Sequence, residues 1–180
     1  MEITKICYRN KVIKSDSETV RNIVASTNFF NPEEIDIAVE LVDEFLLKGL
    51  DSGYQFIFME SNNIVLGYTC YGKIPGTVSS FAMYWIAVHD DFRNRSLGKV
   101  LLQETEKEIF MQGGTGIYVE TSSREQYIPT RAFYKSNDYR IKARFDDYYD
   151  KGDDLVFFVK KKLRNNKCSE FEKYQIHTYK

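Results

Sequence analysis

Residues 85–102 read WIAVHDDFRNRSLGKVLL, and this stretch decides the fold. Trp85 to Val88 close a run that begins at Ser80 (SFAMYWIAV) and is apolar at nearly every position, as in a central strand covered on both faces. A short polar loop follows, Arg93-Asn94-Arg95-Ser96-Leu97-Gly98. Behind it a helix from Leu97 to Gln112 places Val100, Leu101, Ile109 and Phe110 at core spacing. A helix N-terminus presents unpaired backbone N–H groups and the positive end of the macrodipole, so it attracts anions. Ser96 and Gly98 are small enough to let an anion reach the main chain. Arg93 and Arg95 add charge suited to a dianionic group such as a pyrophosphate. As an isolated spacing the segment reads equally well as a plain strand-to-helix turn with solvated arginines.

Outward from this centre, strand and helix patterns alternate. Upstream, Gln55 to Glu60 (QFIFME), the turn Ser61-Asn62-Asn63 and Ile64 to Tyr71 (IVLGYTCY) form a hairpin, and Gly72 to Thr77 is a loop. Asn31-Pro32-Glu33-Glu34 is a helix start: an N-cap residue, a proline for the first turn and two acids at the positive end of the dipole. That helix is expected from Pro32 to Lys48, with Ile35, Val39, Val42 and Leu46 buried and Gly49 as its stop. Residues 2–8 suit a first strand, and Ser15 to Thr19 begins a helix carrying Val20, Ile23 and Val24. Downstream, Gly113-Gly114 ends the central helix and Gly116 to Thr121 is a strand. Pro129 to Ser136 suits a short helix, and Tyr139 to Phe145 and Asp154 to Lys160 suit two closing strands. The expected class is mixed α/β (α+β), with a domain over 1–163 and a tail or docked extension over 164–180.

Composition narrows the function classes. The 180 residues leave room for one domain, which typically takes about 100–200. Lys+Arg is 25 against Asp+Glu 26, a balance that argues against a general nucleic-acid binder. The run Lys160-Lys161-Lys162-Leu163-Arg164 reads as the solvated end of a strand. With 43% hydrophobic and 15% aromatic residues the chain buries a core rather than staying disordered. No apolar run approaches the roughly 20 residues of a membrane span, and Met1 to Asp16 has no signal-peptide core. Cys7, Cys70 and Cys168 form neither a disulfide framework nor a CxxC pair, and no metal site is expected. The expectation is a soluble cytoplasmic protein with no membrane or nucleic-acid partner.

Two phosphate-binding spellings are missing. There is no GxxxxGK[ST], and no GxGxxG followed by an acid some 20 residues on. The chain instead resembles the GNAT superfamily of acyl-CoA-dependent N-acetyltransferases, whose cofactor loop reads Arg/Gln-x-x-Gly-x-Gly/Ala after a strand ending in Val. Here Arg93-Asn94-Arg95-Ser96-Leu97-Gly98 follows Ile86-Ala87-Val88, with Ser96 in place of the first glycine. Serine keeps the main chain approachable but is strained if that position needs positive φ. IYVETSS is similar to the family's next strand. Ala132-Phe133-Tyr134-Lys135-Ser136-Asn137-Asp138-Tyr139 is similar to its FYxxxGF ending, with Asp138 for Gly and Tyr139 for Phe. Tyr127 stands where the family often has an Asn that contacts the cofactor. The likeness spans roughly Ile3 to Leu163, and GYTCYGKIPGT with YWIAV looks like a bacterial small-molecule branch.

The resemblance implies a three-layer fold. A central, mostly antiparallel, twisted sheet of about seven strands is splayed between strands 4 and 5 and flanked by helices. It implies acetyl-CoA as co-substrate, its pantetheine arm along Ile86, Ala87 and Val88 and its pyrophosphate on the amides of Arg93, Asn94, Arg95, Ser96, Leu97, Gly98 and Lys99. The amine of an acceptor attacks the thioester directly, without a metal, in a reaction driven by proximity and a backbone oxyanion donor. Tyr134 matches the family tyrosine that protonates the leaving thiolate. Glu120, expected to be half-buried, is a candidate to take the amine's proton through water, or a plain strand acid paired with Arg124 or Arg131. Tyr84 and His89 are lesser candidates for that step, and Tyr84 and Phe30 are candidates to line the acceptor pocket. The acidic cluster Asp146-Asp147, Asp150, Asp153-Asp154 reads as a solvated turn or as an attractor for a cationic amine. The acceptor expected is the primary amine of a small molecule, amino acids among the candidates. A non-catalytic CoA sensor or partner-binding module on the same fold is the alternative. An exposed last strand and tail would suit a homodimer.

Overall fold

The Asn31 start works as its spelling requires. Asn31 Oδ1 accepts from the Glu34 amide (2.9 Å), and a Glu34 carboxylate oxygen accepts from the Asn31 amide (2.8 Å), a reciprocal capping box. The computed structural model, which describes Ile3 and residues 5–163, accordingly begins a helix at Pro32 and ends it at Lys48, before Gly49 at φ +60°. In chain order the elements are β1 (Cys7–Arg9), α1 (Asp16–Ser26), α2 (Pro32–Lys48), β2 (Gln55–Ser61), β3 (Ile64–Lys73) and β4 (Ser80–Val88). They continue with α3 (Leu97–Met111), β5 (Gly116–Ser122), α4 (Ile128–Ser136), β6 (Arg140–Asp150) and β7 (Asp153–Lys161), with short 3-10 turns between. The expected segment 164–180, with Cys168, lies outside the described residues.

One sheet runs β1-β2-β3-β4-β5-β7-β6. Every pairing is antiparallel except β4 with β5. Its two faces carry separate cores. On one, Val20, Ile23 and Val24 of α1 and Ala38, Val39 and Val42 of α2 pack on Phe56, Phe58, Tyr68 and Ala87. On the other, Leu97, Leu101, Leu102 and Ile109 of α3 and Tyr134 of α4 pack on Met59, Leu66, Met83, Val119 and Phe158. We call these the front and back faces. Together they give the expected three layers.

Several local expectations shift. Leu46, expected inside α2, is 38% exposed. The first strand, expected over 2–8, is Cys7–Arg9, the three residues that pair with β2; it ends where Arg9 donates to both oxygens of Asp16 (2.8 and 2.9 Å) and to Glu60 (2.6 Å). The last two strands are longer than expected, and much of the acidic cluster is built into them rather than forming a solvated turn. Asp153 accepts from Ser122 Oγ and the Ser123 amide and pairs with Arg124 (2.9 Å), and Asp154 accepts from the Asp147 amide (3.0 Å). The basic run is, as expected, the exposed end of the last strand, with Lys160 bridging to Glu106 (2.7 Å) and Lys161 donating to the Tyr118 hydroxyl (2.6 Å). Among the described residues no helix is long and apolar enough to cross a membrane.

Candidate active site

β4 and β5 pair over three positions only, Ser80 with Gly116, Phe81 with Ile117 and Ala82 with Tyr118. Beyond them the strands part. The parting has a local cause in β4. Cys70 pairs with Trp85 and Tyr71 with Met83, so Tyr84 is an extra residue, a β-bulge that bends the strand. It also exchanges the faces. Phe81 and Met83 point to the back core, but two residues on Trp85 joins the front core, while Ile86 and Val88 take the back. Sequence alternation alone does not reveal this change of phase. The half-covered state of Trp85, Ile86 and Val88, expected to be fully buried, follows from the opening beside them.

The opening is a cavity of about 570 Å³. Met83 to Val88 form one wall and Tyr118 to Ser122 the other. Phe29, Phe30 and Glu34, from the end of the α1–α2 connection and the start of α2, reach it from the front, and Tyr149 and Phe157 come from β6 and β7. Arg124, Tyr127, Thr130 and Tyr134 close the end where the strands are farthest from their shared pairing. Of the residues singled out in the sequence, Phe30, Tyr84, Ile86, Ala87, Val88, Arg93, Glu120 and Tyr134 therefore meet around one space. Asn94, Arg95, Ser96, Leu97, Gly98 and Lys99 do not line it. They form the turn beyond it, and the Leu97 side chain is committed to the back core.

At that turn Asn94 (φ +61°) and Ser96 (φ +59°) both adopt the left-handed region. Asn tolerates it well and Ser less so, at a cost of about 1 kcal/mol. No side chain caps the α3 N-terminus, although Ser96 is the N-cap residue. The amides of its first turn thus lack the side-chain acceptor that α2 has in Asn31. Gly98 does not have positive φ, and a Cβ there would meet only the Phe133 ring, at 3.7 and 3.9 Å. Neither conformation nor packing within the chain demands glycine at that point. We expect Ser96→Gly to relieve the strain, raising the melting temperature by up to about 4 °C, which calorimetric melting checks.

Tyr134 is buried, 3% exposed, with its ring edge-on to Tyr139 (5.3 Å) and Phe133 (5.4 Å). Burial pushes its phenol well above the ordinary tyrosine range, so it stays protonated through neutral pH. Glu120 is exposed to the cavity rather than half-buried, and the arginines considered as partners are engaged elsewhere. Arg124 pairs with Asp153, and Arg131 donates to the Ser122 carbonyl (2.7 Å). His89 caps the short turn Asp90–Phe92, its Nδ1 accepting from the Asp91 amide (3.3 Å). Tyr127 donates to Glu34 Oε1 (3.2 Å) and sits edge-on to Phe29 (4.7 Å), joining the α4 side of the cavity to the α2 side. Sequence reading missed Glu34, Tyr149 and Phe157. The only signal for Glu34 was the capping box, which accounts for the residue without any site.

A sheet parted between two parallel strands, with a buried phenol beside the gap, agrees with the fold that the likeness implied. The acetyltransferase (GNAT) domain family matches residues 52–141. A protein of the GNAT family from Desulfovibrio desulfuricans is 38% identical, with a TM-score of 0.85 over 87% of this chain and 99% of that one. The ribosomal-protein-S18-alanine N-acetyltransferase of Escherichia coli superposes with a TM-score of 0.69 at 15% identity, covering 90% and 98%. An N-acetyltransferase from Thermoplasma acidophilum, in complex with coenzyme A, does so at 0.66 and 16%, covering 88% and 100%. These last two likenesses speak to the fold. A search of curated proteins found no match. The chain belongs to the GNAT family and is an acyltransferase.

Proposed function

We propose that the protein transfers the acetyl group of acetyl-CoA to the primary amine of a small molecule. The observation that carries this reading is one cavity that runs along the gap between β4 and β5 and joins Arg93, at the start of the turn leading into α3, to Tyr134 and Glu120. The residues present fit acetyl-CoA. The first-turn amides of α3, which no side chain caps, with Gly98 leaving the main chain open, suit the pyrophosphate. The strand face from Ile86 to Val88, released from β5, offers backbone groups to the amides of the pantetheine arm.

Bound acetyl-CoA supplies an activated thioester carbonyl. The acceptor's nitrogen attacks that carbon, a C–N bond forms and the C–S bond breaks. Glu120 draws the ammonium form of the acceptor into the cavity and takes its proton through water. Tyr134 returns a proton to the departing sulfur. The phenol is a weak acid when buried, but a thiolate leaving into the same poorly solvated space is a correspondingly strong base. Holding both reactants in one gap supplies much of the rate.

The test is calorimetry with acetyl-CoA, followed by release of free thiol across a panel of primary amines. Binding together with amine-dependent thiol release supports the reading. Absence of heat at millimolar acetyl-CoA, or binding without thiol release for any amine, overturns it.

A further inference from the structure

Charge is unevenly settled in the cavity. It holds two arginines and two glutamates. Each arginine already has a carboxylate partner: Arg93 has Asp90 (3.2 Å) and Arg124 has Asp153 (2.9 Å). Glu34 and Glu120 have no ion-pair partner among the described residues. Glu34 is locked in place on both oxygens, by the Asn31 amide on one and the Tyr127 hydroxyl on the other. Both bonds come from neutral donors, so its negative charge remains available to the cavity. Glu120 stands beside Tyr84 and Tyr149; burial raises both phenols, and the Glu120 charge is the next cause at Tyr149, which is pushed up to about 12, and a minor one at Tyr84. Phe157 is its cross-strand partner. The remaining front wall is a chain of rings, Tyr127 to Phe29 (4.7 Å), Phe29 to Phe30 (4.9 Å) and Phe30 stacked on Trp85 (5.1 Å).

Such a space favours an ammonium, which gains from both carboxylates and from nearby ring faces. It favours a flat apolar body beside that ammonium. It opposes an acceptor carboxylate, which would find two like charges and only arginines that already have carboxylate partners. Its front wall offers rings rather than hydroxyls or amides to a polyhydroxylated amine. Resting on the acetyl-transfer reading, we propose that the acceptor is a cationic amine with an aromatic body and no carboxylate, and that Glu34 is the residue that enforces the exclusion. This narrows the acceptor away from amino acids.

The test compares matched acceptors with acetyl-CoA at saturation: phenethylamine, phenylalanine, 2-aminoethanol and an aminoglycoside. Phenethylamine is expected to exceed phenylalanine in kcat/KM by at least about tenfold, and to exceed the other two. Glu34→Gln keeps the capping box, since glutamine serves at that position, and removes only the charge. It is expected to shrink the phenethylamine-to-phenylalanine ratio by about three- to fivefold, the effect of a single partly solvated charge, with the melting temperature little changed. Phenylalanine or the aminoglycoside matching phenethylamine overturns the proposal even if the variant does not fold. An unchanged ratio in folded Glu34→Gln overturns the role of Glu34. If no amine releases thiol, the acetyl-transfer reading fails separately. Calorimetric titration of the same four compounds into the coenzyme A-loaded protein then ranks them: preferential binding of phenethylamine supports the acceptor class, and equal or absent binding overturns it.

Discussion

Replacing Tyr134 with phenylalanine is expected to lower amine-dependent turnover by about 10²- to 10⁴-fold, the range for loss of a positioned general acid. Coenzyme A affinity should stay within about twofold. The change removes one oxygen and keeps the ring that packs on Phe133, Tyr139 and Phe158, so the back core persists. A purely structural tyrosine would leave kcat untouched, so single-turnover kinetics with saturating acetyl-CoA separates the two roles. The pH profile gives a second check. The phenol is raised above the usual value near 10, so the wild type should show no loss from Tyr134 ionisation below about pH 10. Turnover retained in the phenylalanine variant would remove Tyr134 from the mechanism.

The largest loss of stability from a near-isosteric change is expected at Asp16→Asn. Asp16 is 1% exposed and accepts from two nitrogens of Arg9 and from the Ile13 amide (2.8 Å). Asparagine supplies one acceptor and turns an N–H₂ group toward the guanidinium. Arg9, lying 4.4 Å over the Phe58 ring and still paired with Glu60, would lose its main partner. Removing one member of a buried ion pair costs about 3 kcal/mol at the low end. In a domain of this size that lowers the melting temperature by roughly 6–12 °C. Thermal unfolding followed by circular dichroism measures it, and a shift below about 2 °C would show that the cluster is dispensable.

Where spelling and local physics coincide, the sequence was legible. The start and stop of α2 follow from Asn31, Pro32, Glu34 and Gly49, each acting within one helical turn. The limits of β4 follow from an unbroken apolar run. The family likeness carried the loop, the splayed sheet and Tyr134, which an unaided reading would have left as a core aromatic. The remainder required distances that sequence does not encode. Asp146 and Asp150 belong by composition to a turn, yet β6 runs through them because Asp154 and Asp153 supply acceptors and pairing on the neighbouring strand. Glu34 and Glu120 belong to elements that meet only when the sheet opens, and Tyr127 reaches Glu34 across the top of that opening. The change of phase at Tyr84 depends on the register with β3, which alternation within β4 cannot disclose.

That extra residue in β4 has a consequence for how the protein can change over time. From Trp85 to Val88 the strand is paired with β3, and among the described residues no strand pairs with its other flank. It is an edge placed in the middle of a sheet, where helices on both sides shield it from the stray strand pairing that threatens an outer border. Such a border can be completed by a linear string of amides that is no part of the polypeptide. Substitutions on the β5 and α2 walls can then reshape the proposed acceptor's surroundings while the backbone rail proposed for the acyl donor stays as it is.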